Sequence, residues 1–314
     1  MASLNRRRFL GASAAVAGTG LFGGGALADP NGFPIGIQLY SVGDELRKDF
    51  EGTLRTIAEI GYREIEGAGQ AGGGHSVKQI AEFGKSVGLN LRSVHTSLIE
   101  LQSGADRIFQ QAHDSGIEYL ICAMPWPKDP SRIKPLDPAD PLFKEFGKIA
   151  PFVNILNNLV LDDWKWMADL FNEIGAKAKA AGLTFGYHNH NFEFKKLDGV
   201  LPYDLLLEKT DPRFVSFELD CGWMVSAGFD PVDYLTKHPD RYRLLHIKDL
   251  AKNQPSGGIK TTEVGSGTID WAKIFNAAKK TKVTGYYVEQ EPPFEKPALE
   301  SARISYDYLH ALKT

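Results

Sequence analysis

Four short apolar runs in the second half of the chain end in residues that can hold a metal or move a proton. One leads into Tyr187-His188-Asn189-His190-Asn191-Phe192-Glu193, and the next ends Glu218-Leu219-Asp220. A third holds His246-Ile247-Lys248-Asp249, and the last ends Glu289-Gln290-Glu291. Residues two apart on a strand share a face, so His188 and His190 can both approach one point, as can His246 and Lys248. One histidine or carboxylate from each of four consecutive strands makes a mixed nitrogen and oxygen donor set. Such a set suits a divalent Mn, with Zn, Fe or Co as alternatives, better than Ca, which prefers oxygen alone. A single buried histidine is ordinarily a satisfied core group. Four such groups gathered together are costly to bury without a cation or full pairing.

Further residues fall at the same ends. Glu66 and His95 close the second and third apolar runs and are expected to face the same opening, as substrate contacts or as structural hydrogen bonds. Lys248 beside a metal could polarise a hydroxyl or stabilise an enolate. Trp223 and Phe192 could lie against the apolar side of a sugar ring, and Glu193 could fix a ring tautomer. His190 and Glu218 join Glu289 and Lys248 as candidates for proton transfer.

These positions require a scaffold that brings strand ends together. Apolar runs at 34–40, 64–67, 91–97, 119–123, 184–189, 215–220, 243–248 and 285–289 alternate with amphipathic stretches such as 49–60, 77–87, 164–180, 201–209, 231–237 and 271–280. Glycines at 61, 88 and 182 follow three of the helical patterns, where a left-handed residue closes a helix. Strands alternating with helices argue for βαβ units and a parallel sheet. Eight of them with polar ends predict a single-domain α/β protein, a (β/α)8 TIM barrel. An open doubly wound sheet would advertise a phosphate-binding turn with a distant ribose-binding acid. The glycines around 67–74 lack that context and are read as a loop. The segment 125–161 is the one long irregular stretch, and loops of that length usually shape a site. Cys122 and Cys221 fall on the fourth and sixth strands, which are not neighbours, so they are expected to stay unpaired.

Composition agrees with one folded body. The 314 residues are 43% hydrophobic and 24% charged, which excludes a disordered or collagen-like chain. The formal net charge of −3 supplies no basic field, so no nucleic-acid partner is expected. Residues 1–28 differ from the rest: Arg6-Arg7-Arg8-Phe9-Leu10, a Gly/Ala-rich apolar run, then Ala26-Leu27-Ala28. That order predicts a signal peptide cleaved before Asp29, and the paired arginines resemble a twin-arginine signal. It implies export to the periplasm or beyond through the twin-arginine machinery, with the barrel occupying 29–314. Cleavage removes three arginines and no acids, which takes the net charge from −3 to −6.

From about residue 34 to 312 the chain resembles the sugar phosphate isomerase/epimerase family, the xylose-isomerase-like TIM barrels. The resemblance rests on Gly36-Ile37-Gln38-Leu39-Tyr40-Ser41, Gly61-Tyr62-Arg63-Glu64-Ile65-Glu66 and Gly186-Tyr187-His188-Asn189-His190. It continues in Glu218-Leu219-Asp220-Cys221-Gly222-Trp223, His246-Ile247-Lys248-Asp249, Gly265-Ser266-Gly267-Thr268-Ile269-Asp270 and Val288-Glu289. The family's metal set of Glu, Asp, His and Glu then falls on His188, Asp220, His246 and Glu289, with histidine replacing the first glutamate. Family epimerases use both metal-bound glutamates as opposed acid and base, and one of those carboxylates is missing here. The resemblance implies a metal-dependent isomerase or epimerase acting through an enediolate on a sugar or keto-sugar, with Glu289 as base. The missing glutamate raises an alternative, a lyase or dehydratase that cleaves 3-keto-glycosides by elimination. A third reading is a carbohydrate-binding barrel without catalysis. Oligomeric state is not legible in the sequence.

Overall fold

The computed structural model describes residues 29–69, 73–147, 150–255 and 259–314; the expected signal peptide lies outside them. Eight parallel strands close into one barrel: β1 (Gly36–Gln38), β2 (Glu64–Ala68), β3 (Asn90–Ser97), β4 (Tyr119–Met124), β5 (Thr184–His188), β6 (Val215–Asp220), β7 (Tyr242–Ile247) and β8 (Gly285–Val288). Each pairs with its sequence neighbour, and β8 pairs with β1 to complete the ring. Every expected apolar run overlaps one strand, with ends that differ by two residues at most. The first is shorter than the run 34–40, because the Gln38 side chain accepts a hydrogen bond from the Tyr40 N–H and starts a 3-10 turn.

Helices return between the strands, and their ends are set locally. Asp49 caps Phe50–Ile60 by accepting from the Gly52 N–H, and Ser76 with Gln79 forms a capping box on Val77–Ser86. Gly88 and Gly182 take φ of 84° and 82°, the left-handed conformation that lets the chain turn from helix to strand. The irregular stretch after β4 contains two short helices, Pro141–Phe146 and Ala150–Asn157, before Leu161–Ala180 begins. Asp163 ties this stretch down: it accepts from the Lys128 and Val160 N–H groups and pairs with Arg132.

Packing explains where the site can lie. Tyr119, Ile121, Leu244 and Tyr287 form a small apolar plug inside the barrel, separate from the larger core that includes strand and helix residues such as Leu120 and Phe171. Room for the plug comes from glycine. A Cβ on Gly36 would lie 2.5 Å from the Tyr287 ring, and one on Gly186 would lie 2.7 Å from Ile121. The polar residues sit beyond this plug, toward the C-terminal ends of the strands.

Beyond β7 the chain forms a two-stranded ribbon, Asp249–Leu250 with Thr261–Thr262. The buried Asp249 carboxylate accepts from the N–H groups of Leu250, Gly265, Gly267, Thr268 and Ile269 and from Trp271 Nε1. Six donors on one carboxylate shape the loop that carries the Gly265-Ser266-Gly267 motif. At the opposite end of the barrel, before β1, Asp29 lies 2.8 Å from His310 Nδ1, and the Asn31 side chain donates to Phe275 O. Cys122 and Cys221 are buried free thiols. Among the described residues no helix is long and apolar enough to cross a membrane.

Candidate metal centre

Strand alternation builds the site in two layers. On β6, Glu218 and Asp220 point to the same side, with Asp220 one step nearer the mouth, and Asp220 is paired in register with His246 of β7. His188 ends β5 in register with Glu218. Glu289 follows the last residue of β8. His188, Asp220, His246 and Glu289 each present a donor atom within 4.8 Å of all the others, and all four are buried. His246 Nδ1 lies 2.7 Å from Glu289 Oε2 and 3.8 Å from Asp220 Oδ2, and His188 Nε2 lies 3.9 Å from Asp220 Oδ2.

The sequence neighbours hold Asp220 in place. Asn189 accepts from the Asp220 N–H and donates to its carbonyl, while Asp220 Oδ1 accepts from the Trp223 N–H. Asp220 Oδ2 is buried and makes no hydrogen bond among the described residues, and its near charged neighbour is the Lys248 ammonium at 3.0 Å. Two imidazoles and two carboxylates converging in this way fit a divalent cation of the Mn, Fe, Co or Zn type.

Lys248, the first residue after β7, lies outward of His246 and is almost fully buried. Its ammonium lies 3.0 Å from Asp220, 3.1 Å from Glu289 and 2.5 Å from Glu291, and 4.6 Å from the centre of the Trp223 ring. The His190 ring stacks on Phe192 at 5.3 Å and lies 5.6 Å from Trp223, which gives one side of the mouth an aromatic wall. Glu193 is turned away from the mouth. It accepts from the Tyr187 hydroxyl and from the His190 N–H.

Glu66 and Glu218 occupy the deeper layer and have no exposure. Glu66 lies one layer beneath the four converging ligands. Its carboxylate lies 2.6 Å from His246 Nε2, accepts from Gln38 Nε2 at 2.8 Å, and accepts from the Ser93 hydroxyl. Glu218 lies 2.7 Å from His95 Nε2 and 3.0 Å from His188 Nδ1. His95 bridges the two acids, 3.1 Å from Glu66, and keeps only a small exposed edge. Gln38, Ser93, Asn189 and Glu291 are the contributors that sequence reasoning did not single out. Period-two alternation from Glu289 was the available signal for Glu291, and the inward face of β1 was the signal for Gln38.

The electrostatics follow from crowding acids around few cations. Burial alone would push Glu289 up, but Lys248 and His246 outweigh it and hold the carboxyl well below the usual range. Burial would lower Lys248, yet Asp220, Glu289 and Glu291 raise it, so it stays an ammonium. Burial and the neighbouring Glu66 push Glu218 up to about 7, against the pull of the histidines. Burial would lower His95, but Glu66 and Glu218 raise it to about 10. Burial and Lys248 take His190 down to about 3, which leaves a neutral ring at the mouth. The acids together demand positive charge.

Comparison with known proteins agrees with this architecture. Residues 54–312 match the family model described as xylose isomerase-like TIM barrel. An inosose dehydratase of Clostridium perfringens is 28% identical over 152 residues, 43% of this chain and 50% of that protein. One from Halalkalibacterium halodurans is 32% identical over 164 residues, 47% of this chain and 53% of that protein. The chain thus spans about half the length of the curated relatives it matches. A crystal structure of a sugar phosphate isomerase/epimerase from Parabacteroides distasonis ATCC 8503 covers 88% of this chain and 94% of its own, at 27% identity and a TM-score of 0.66.

Proposed function

The chain belongs to the xylose isomerase-like TIM barrel family, and from that premise we propose that it is a metal-dependent enzyme that takes a proton from the carbon beside a carbonyl of a sugar or keto-sugar. The observation that carries the reading is the convergence of His188, Asp220, His246 and Glu289 below a buried lysine ammonium. These four residues would hold a divalent ion, Mn in the first instance. When bound, the ion supplies Lewis acidity that lowers the cost of negative charge on the carbonyl oxygen.

The protein's own groups divide the remaining work. Glu289, kept ionised by Lys248 and His246, accepts the proton from carbon. Lys248, kept charged by three carboxylates, stabilises the oxyanion or gives a proton to a departing oxygen. The aromatic wall of Phe192 and Trp223 receives the apolar side of the ring, with neutral His190 beside it.

Two outcomes follow from the same first step. Return of the proton at the neighbouring carbon gives isomerase or epimerase chemistry, in keeping with the Parabacteroides neighbour. Elimination is favoured by a specific observation: of the acids around Lys248, Glu289 and Glu291 come from the chain after β8, and Asp220, from β6, is tied down by the Trp223 N–H as a ligand. β5 and the residues just after it offer His188 and His190, while Glu193 is engaged with Tyr187 and a backbone N–H. Two-base epimerisation wants carboxylates on opposite faces of the substrate. In elimination, the proton passes to Glu289 and the C–O bond on the next carbon breaks. The departing oxygen takes a proton from Lys248, and an α,β-unsaturated ketone remains. The dehydratase names of the relatives, which the chain matches over about half of their length, support this outcome.

The test is incubation of Mn-loaded protein with keto-sugars, an inosose and 3-keto-glycosides in D2O. Deuterium uptake with enone formation and release of water or aglycone identifies a lyase or dehydratase. Uptake without release identifies an isomerase or epimerase. Metal binding without either would leave the carbohydrate-binding reading. We further propose that residues 1–28 direct export of the folded protein and are cleaved before Asp29; full-length protein found wholly in the cytoplasm would refute export, and an intact Met1 on exported protein would refute cleavage.

A further inference from the structure

We infer that Glu66 and Glu218 are positioning residues that set the tautomers of the two histidine ligands from the layer beneath them. The inference rests on the metal reading of His188 and His246. A neutral imidazole has one N–H and one lone pair, so a ring that gives its lone pair to a metal must place its proton on the other nitrogen and find an acceptor for it. Both rings have such an acceptor, and the two are arranged in mirror fashion. His188 turns Nε2 toward Asp220, at 3.9 Å, and Nδ1 toward Glu218, at 3.0 Å. His246 turns Nδ1 toward Glu289, at 2.7 Å, and Nε2 toward Glu66, at 2.6 Å. The metal-side nitrogen is therefore Nε2 in one ring and Nδ1 in the other.

The two carboxylates are themselves fixed from other strands. Gln38 of β1 and Ser93 of β3 donate to Glu66, and His95 of β3 lies against both acids. Glu66 is held from three sides and Glu218 by His95, which orients each beneath its ring, and supports of this kind are typically worth about 10–100-fold in metal affinity. The deeper layer has a rival use. His95, His188, Glu218 and His246 also bring donor atoms within 4.8 Å of one another, and Glu218 Oε1 lacks a hydrogen-bond partner. A second cation there would need the lower nitrogens of His188 and His246 as lone-pair donors. Simultaneous use of the upper nitrogens would strip both rings of their last proton. Hydrogen bonds to carboxylates make no such demand.

The experiment uses Co2+ as a probe on the full chain, reading dissociation constant, stoichiometry and the visible d–d spectrum. Glu218→Ala and Glu66→Ala should each weaken Co2+ by about 10–100-fold and shift the spectrum. Glu218→Gln and Glu66→Gln, whose amide oxygens still accept the ring proton, should restore most of the affinity. Affinity and spectrum unchanged in both alanine variants would overturn the inference. Two Co2+ per wild-type chain, with one lost in His95→Ala, would also overturn it, in favour of a second cation. Where an alanine variant does not fold, 15N shifts of His188 and His246 in the Zn-loaded wild type decide: protons on Nδ1 and Nε2 respectively are expected, and the reverse pair refutes. A wild type that takes up no Co2+ counts against the metal reading instead. In metal-free protein the same measurement still reports whether His188 carries its proton on Nδ1, the nitrogen beside Glu218, and a proton on Nε2 alone would overturn the inference for that ring.

Discussion

At the scale of single residues, Glu289 separates binding from chemistry. Glu289→Gln keeps an oxygen donor but loses the proton acceptor, so deuterium exchange should fall by about 10²–10⁴-fold while much of the metal remains. Exchange near the wild-type rate, with metal content confirmed by elemental analysis, would move the base to His190. A second prediction concerns the histidine that stands where the family set has glutamate. His188→Glu is best made together with Glu218→Gln, since the new carboxylate would otherwise face a buried acid. The double variant should keep the metal and shift turnover from release toward exchange, read as the ratio of deuterated substrate to enone. Much of this constellation was legible beforehand, because His188, Asp220, His246 and Glu289 each end an apolar run and strand ends must meet in a closed barrel. The partners of Glu66 were not. Gln38 and Ser93 lie 28 and 27 residues away, and His246 lies 180 away, so only the closed ring brings them together. Sequence placed Glu66 at a strand end but could not say whether its carboxylate would reach outward or be drawn under a histidine ring.

At the scale of elements, the segment after β7 is stapled from both sides. Asp249 collects six N–H donors from it, and Glu263 joins it to the last helix, Ala298–Ala311. Glu263 pairs with Lys296 at 3.0 Å and accepts from Ser301 and Thr262. Burial would raise its carboxyl, but a backbone N–H and these partners outweigh burial and bring it to about 2. A carboxyl depressed on folding contributes stability above its ordinary value of 4.5, and loses that contribution as pH falls toward about 2. Glu263→Gln should therefore cost on the order of 1–3 kcal/mol at pH 7, with the gap to wild type narrowing between about pH 5 and 2. Urea denaturation at several pH values reads this directly, and a gap independent of pH would refute it. The strand run 243–248 was read from the sequence here, whereas the ribbon Thr261–Thr262 and the helix Ala298–Ala311 were not. The staple was not, because an acid followed by Val264-Gly265 reads as an ordinary loop until helix Ala298–Ala311 packs against it.

At the scale of the whole molecule, a cation held by residues of β5, β6, β7 and the chain after β8 would join half of the ring. Bound to the folded barrel and not to the unfolded chain, at a free concentration 100 times its dissociation constant, it would add about 2.7 kcal/mol. Chelation should lower the calorimetric midpoint by roughly 5 °C or more, and added Mn should restore it. A midpoint indifferent to both would mean that the folded state does not hold the ion. The closed ring also fixes which way the molecule faces. Asp29 meets His310, and Asn31 meets both Phe275 and Thr314, all at the end of the barrel away from the metal ligands. A tether, reporter or solid support attached at residue 29 or residue 314 would thus hang the barrel with its opening toward free solution. With those two ends so near each other, a short peptide could splice 314 to 29, and the circle could be cut anew in an outer loop without disturbing the ligands.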